Sequence, residues 1–157
     1  MFLQGVAAEA ATNSGFTVVA SMEEADLAII RAVTPHQLLH PNYAFGAVQH
    51  EGDLDFKEDD ATLLAIRAAA ARVPTLVTVM LDRPAILTNV TPLVSAMFGD
   101  YGISDEALLD VITGKAKPEG KLPFELPSSM EAVHNQLSDL PYDSKDPLYA
   151  FGFGLSY

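Results

Sequence analysis

Cysteine is absent from this sequence of 157 residues. There is therefore no disulfide frame, no thiolate zinc site, no iron–sulfur cluster and no cysteine nucleophile. Basic residues are scarce: nine Lys and Arg stand against 21 Asp and Glu, a formal charge of −12. The phosphates of a nucleic acid want a basic face, and so does an anionic membrane, so neither is an expected partner. No apolar run approaches the roughly 18–20 residues of a transmembrane helix. The opening Met1-Phe2-Leu3-Gln4-Gly5 has neither a basic n-region nor a long apolar h-region, which favours a cytoplasmic chain. GxGxxG, Walker A and GxSxG motifs are missing too, which removes the usual nucleotide-binding and α/β-hydrolase readings, and no cofactor is expected.

What is present is apolar. Hydrophobic residues make up 49% of the chain, which excludes a disordered tail and supplies one domain with a real core. Strand and helix signals alternate. Thr17–Ala20 is a short strand candidate, and Leu27–Val33 and Thr75–Leu81 are stronger ones. The last has almost no polar face, as in a parallel strand covered on both sides. Residues 58–72 read as a helix with Leu63, Ile66 and Ala70 on one face and acids at its start. A second helix spans about 104–113 behind the cap candidate Ser104, and a third opens at Ser128. Residues 136–157 read as an irregular tail. The expected fold is α/β: a three-layer α/β/α sandwich with a mostly parallel sheet and right-handed crossovers.

One connection is out of scale. Residues 34–57 form a loop of 24 residues, where ordinary strand–helix loops have roughly 2 to 6. It leaves the carboxyl end of a strand, where open α/β sheets bind ligands. It also holds His36, His40 and His50, three of the four histidines. His36 and His40 have the spacing of a metal pair on a helix, but Pro35 and Pro41 bracket them, so no metal site is expected. Glu51, Asp53 and Asp55 could supply a general acid, or form a solvated approach to the next helix. Tyr43 and Phe45 could stack on a sugar face or pack under the loop. Arg83, after the strongest strand, could bind a ligand carboxylate or phosphate, but reads better as a residue that pairs with a buried acid and holds a loop.

The last third is more specific. Lys117-Pro118-Glu119-Gly120-Lys121-Leu122-Pro123-Phe124-Glu125-Leu126-Pro127 resembles the "NPSGKLPFTFP" stretch of glycoside hydrolase family 3. Tyr149–Tyr157 resembles the "YPFGYGLSY" that closes that family's second domain. Ala25–Ile30 is similar to its "ADVAIV" strand, Asp82-Arg83-Pro84 to its "GRP" turn, and Gly52-Asp53 to its "GD" segment. These matches run in the family's order from about residue 25 to the end.

The resemblance implies a flavodoxin-like C-terminal sandwich, truncated at its N-terminus, whose partner is an N-terminal (β/α)8 barrel lying outside this chain. It implies a retaining hydrolase of β-glucosides or β-xylosides, which needs two carboxyl groups about 5 Å apart. The family's nucleophile is an Asp on the barrel. Its acid/base is in many members a Glu three residues before the Gly of "GD", and that position here is Gln49. A neutral amide cannot donate and recover a proton. Glu51 and His50 are the substitutes in reach, and a subgroup reading "FFHQGDLDF" keeps the histidine. The expected site is therefore Glu51 or His50 as acid/base, with Asp53, Tyr43 and Phe45 lining the place of a glycoside or small oligosaccharide. Alone, the chain is expected to be inactive. A homodimer stays open, and the alternative function is a stand-alone carbohydrate-binding or scaffolding module without catalysis. A flavodoxin-like domain unrelated to sugars is a third reading, on alternation alone.

Overall fold

The computed structural model describes residues 1–46 and 48–156. Its centre is a four-stranded sheet, β1 (Phe2–Gln4), β2 (Ala28–Val33), β3 (Thr75–Met80) and β4 (Ala96–Asp100), side by side in chain order and all parallel. Helices α1 (Ala8–Asn13) and α3 (Asp105–Ile112) cover one face; α2 (Ala61–Ala70) covers the other. The α/β/α layering is thus as the alternating pattern predicts. A short α4 (Met130–His134) precedes the tail.

The alternation of β2 divides the core. Ala28, Ile30 and Ala32 join Val77 and Val79 of β3 against Leu63, Ile66 and Ala69 of α2. Ile29 points the other way, to Ala10 and Ala11 of α1 and Leu108 and Leu109 of α3. The buried stripe of α2 ends on Ala69 rather than Ala70. Its cap is Asp60, whose carboxylate accepts from the backbone N–H of Thr62 at 2.8 Å and Leu63 at 3.0 Å. Ser104 caps α3 by accepting from Ala107 N–H at 3.2 Å. Ser129, not Ser128, caps α4.

Three expectations change. Thr17–Ala20 is not a strand; Val19 N–H is used by Met1 O and Thr17 O by the Met1 amino group, so this stretch props the chain's start. Strands β1 and β4, which the sequence pattern does not announce, complete the sheet. The crossovers from β1 to β2 and from β2 to β3 advance in the same direction over opposite faces, so they have opposite hands and are not both right-handed. The physical reason is that the small Ala10–Ala11 face of α1 is buried against α3, on the side away from α2.

The C-terminal stretch is pinned by the segment before it. Leu126 and Tyr149 exchange backbone hydrogen bonds at 2.8 and 3.3 Å, and Leu122 N–H donates to Phe153 O at 2.9 Å. Gly154 passes so close that a Cβ there would lie 2.5 Å from Gly120 O. The two motifs that carry the family resemblance are therefore packed against each other.

Candidate active site

The loop 34–57 leaves β2 and lies at the carboxyl ends of β2 and β3. Thr34, fully buried, anchors its start: the hydroxyl donates toward Met80 O and Arg83 O, both at 3.1 Å. Gln37 and Glu51 pair as an antiparallel bridge, closing the loop on itself. Gly52 makes that closure feasible. Its φ is +77°, and a Cβ there would sit 2.1 Å from Gln37 Oε1. Phe56 is buried in the core and ends the excursion.

Arg83 holds the loop, as its place after β3 suggests, but its partners are carbonyls rather than an acid. Nη2 donates to Pro35 O at 2.7 Å, Gly52 O at 3.1 Å and Asp53 O at 2.7 Å, and Nη1 to His50 O at 3.2 Å. One guanidinium thus ties both ends of the loop to the turn behind β3.

Two imidazole–carboxylate pairs stand on this frame. His40 Nδ1 lies 2.9 and 3.0 Å from the two oxygens of Glu51. His50 Nδ1 bonds Asp82 Oδ2. The ring of His50 stacks on His36, centroids 3.8 Å apart and planes 11° apart. Asp82 is the residue that the sequence reading passed over as part of a turn. Its signal was position: it stands two residues beyond the end of β3, at a strand's carboxyl end. Among the described residues, no group of three or more His, Asp or Glu side chains is placed to hold a metal ion.

Asp53 stands apart from these pairs. It meets Lys57 Nζ at 2.7 Å, and Lys57 also reaches Asp55 at 2.9 Å. The hydrogen bond and charge of Lys57 hold the Asp53 carboxyl below the ordinary aspartate range. The same bonds raise Lys57, Asp53 first. Tyr43 and Phe45 are 71% and 74% exposed, so they do not pack under the loop. Leu38, Leu39 and Val48 are exposed beside them.

The structure thus brings His50, Glu51, His36, His40 and Asp82 onto one loop-and-turn frame. Asp53 faces its own lysine, and Tyr43 and Phe45 stand out in solvent. With this geometry in hand, comparison with known families is decisive: the whole chain, residues 1–157, matches the Glycosyl hydrolase family 3 C-terminal domain. The chain belongs to that family. Among family 3 relatives, the periplasmic beta-glucosidase/beta-xylosidase of Dickeya chrysanthemi is 51% identical over 157 residues, covering 100% of this chain and 24% of its own length. The probable beta-glucosidase C of Aspergillus flavus is 41% identical over 156 residues, 99% of this chain and 24% of its own. The chain therefore spans about a quarter of the length of these relatives.

Solved β-glucosidase structures share the fold. The β-glucosidase of Listeria innocua in complex with isofagomine superposes with a TM-score of 0.61 at 15% identity, over 98% of this chain and 23% of that one. The β-glucosidase D2-BGL of Chaetomella raphigera gives 0.68 at 19% identity, over 93% and 24%.

Proposed function

We propose that this chain serves as the second domain of a retaining β-glycosidase acting on β-glucosides or β-xylosides. Loop 34–57 completes a sugar site whose nucleophile stands on a barrel outside the chain. The observation that carries this reading is the pair of imidazole–carboxylate contacts on a loop at the carboxyl ends of the sheet. A retaining reaction needs one group that gives a proton to the leaving oxygen and then takes one from water. In His50 the Nδ1 side is committed to Asp82, so Nε2 is the atom left to exchange that proton. In Glu51 both oxygens face His40 Nδ1, which orients the carboxyl group on the loop. His50 and Glu51 are therefore the two acid/base candidates, and Asp53, Tyr43 and Phe45 are offered to substrate. Leu38, Leu39 and Val48 are the surface offered to the barrel.

The test is hydrolysis of aryl β-glucosides and β-xylosides by the purified chain, alone and with a family 3 barrel added. The chain alone turns nothing over; with the barrel, turnover appears. In the active pair, replacing the true acid, by His50→Gln or Glu51→Gln, lowers the rate about 10²- to 10⁴-fold on poor leaving groups and far less on activated ones. Turnover by the chain alone would overturn the division of labour. The exposure of both Tyr43 and Phe45 favours one second reading, a carbohydrate-binding module without catalysis. Oligosaccharide binding by calorimetry, with no activity on adding the barrel, would select it.

A further inference from the structure

The sheet ends on β4, and its outer edge carries no strand. Among the described residues β4 pairs only with β3, and no other backbone hydrogen bond reaches Met97, Phe98 or Gly99. Alternate residues of a parallel strand turn their N–H and C=O groups to the same neighbour. Asp100 O accepts from Leu81 N–H at 2.8 Å, so Asp100 and Phe98 serve β3, and the backbone groups of Met97 and Gly99 point outward. A bare edge is a template for another strand, and edges are usually blunted by charge, proline or a bulge. This one is not. Its register with β3 is unbroken, and its one charged residue, Asp100, is buried and accepts from Thr78 Oγ1 at 2.6 Å.

Beside the edge runs a groove of about 420 Å³, lined by Leu76, Ala96, Phe98, Ile112, Thr113 and Gly114. The end of α3 therefore lies over the first residues of β3 and β4. The start of α3 lies toward the other end of the sheet, where Asp105 holds Arg31 of β2. Charge follows the same axis. Asp105 and Glu106 open α3 at the carboxyl ends of the strands. Lys115 and Lys117 follow its last turn at the amino ends. Glu106, Lys115 and Lys117 are all exposed.

We propose that this edge is the interface with a second copy of the chain. The two β4 strands pair antiparallel about a twofold axis at Phe98 and join two four-stranded sheets into one. Met97 of each copy exchanges backbone hydrogen bonds with Gly99 of the other. Phe98 meets its own counterpart in the non-hydrogen-bonded pair, where side chains approach closest, and the two rings fill the joined grooves. The twofold also sets the two α3 helices antiparallel on one face, so the lysine end of each approaches the acid end of the other. That complementarity offsets the repulsion between two chains of charge −12. A strand of an unrelated protein could also extend the sheet, but a twofold copy brings Lys115 toward Glu106 twice. The edge is lateral, so the pairing leaves loop 34–57 free and does not rest on the glycosidase reading.

Light scattering and sedimentation of the 157-residue chain test it, from about 1 μM to about 1 mM, the range of small interfaces. A dimer forms within that range. Lys115→Glu weakens it about tenfold. Glu106→Lys weakens it as much, although that change lowers the net charge, and the two together restore it. Because the chain has no cysteine, Phe98→Cys gives each copy one thiol, and oxidised glutathione links the copies through it. Leu64→Cys, exposed on α2, links them far more slowly. A monomer at every concentration overturns the proposal. A dimer that neither charge change weakens, or that links no faster at residue 98 than at residue 64, also overturns it, because such a dimer uses another face. If Phe98→Cys fails to fold, the two charge changes and their combination decide. Each of these failures leaves the proposed function standing.

Discussion

Arg83 determines how loop 34–57 sits. Three backbone carbonyls converge on its Nη2 and a fourth on Nη1, from residues 30 to 48 positions away in sequence. A lysine ammonium cannot span that fork. Arg83→Lys is expected to cost about 3 kcal/mol, since hydrogen bonds from a charged donor contribute roughly 1.5–3 kcal/mol each and some are recovered. In a domain of this size that lowers Tm by about 6–12 °C, measurable by thermal melting. Asp53 and Lys57 set a weaker, pH-bounded restraint. Asp53 is lowered by Lys57, so its contribution is complete above the ordinary aspartate range and is lost as pH falls through its depressed value. Lys57 is raised, so its contribution is complete below about pH 10 and is lost as pH rises through its raised value. Amide protection at residues 53–57, relative to the intrinsic exchange rate at each pH, should be greatest between those limits, and Lys57→Met should flatten the profile. Both side chains are half-exposed, so the change stays local to the loop.

At the scale of elements, capping by side chains does much to set where the helices begin. Asp60 satisfies two N–H groups of α2, and Ser104 one of α3. Asp60→Ala is expected to cost about 1–2 kcal/mol and Ser104→Ala about 1 kcal/mol, read from urea midpoints at constant slope. The Ser104 cap, the apolar run of β3 and the acids at the start of α2 were legible in the sequence because each is a local signal, whereas the helix over 58–72 begins only at Ala61, with Asp60 as its cap. Strand β1 was not, because three residues carry no period. Strand β4 was not, because Ala96-Met97-Phe98-Gly99-Asp100 holds no β-branched residue and ends in Gly-Asp. It is a strand because β3 offers it a ladder, a tertiary fact. The same division holds at the site. The loop stood out by length and by its histidines, but the His50–Asp82 contact joins residues 32 apart and needs the sheet to bring them together. Arg83 was read correctly as a loop holder and wrongly as the partner of an acid, because carbonyls leave no mark on a sequence.

At the scale of the molecule, the chain matches a family domain over its whole length and about a quarter of its relatives. The exposed Leu38, Leu39 and Val48 give loop 34–57 an apolar surface on a chain of charge −12. If a barrel covers that surface, adding it must stabilise the chain by mass action. The melting temperature should therefore rise with the concentration of added family 3 barrel, and Leu39→Asp should abolish the rise while leaving the isolated chain's own melting unchanged. A barrel that leaves the melting temperature unmoved at every concentration would show that the surface serves something else.

The Arg83 clamp also separates what the scaffold must keep from what it can vary. Because one side chain gathers Pro35 at one end and Gly52 and Asp53 at the other, the excursion between them is a closed cassette. Doubling the length of such a loop costs only about 0.6 kcal/mol in closure entropy. Evolution, or an engineer, can rewrite or lengthen the segment around residues 38–46 and so change what it presents to a sugar. The buried sheet beneath would register almost none of it.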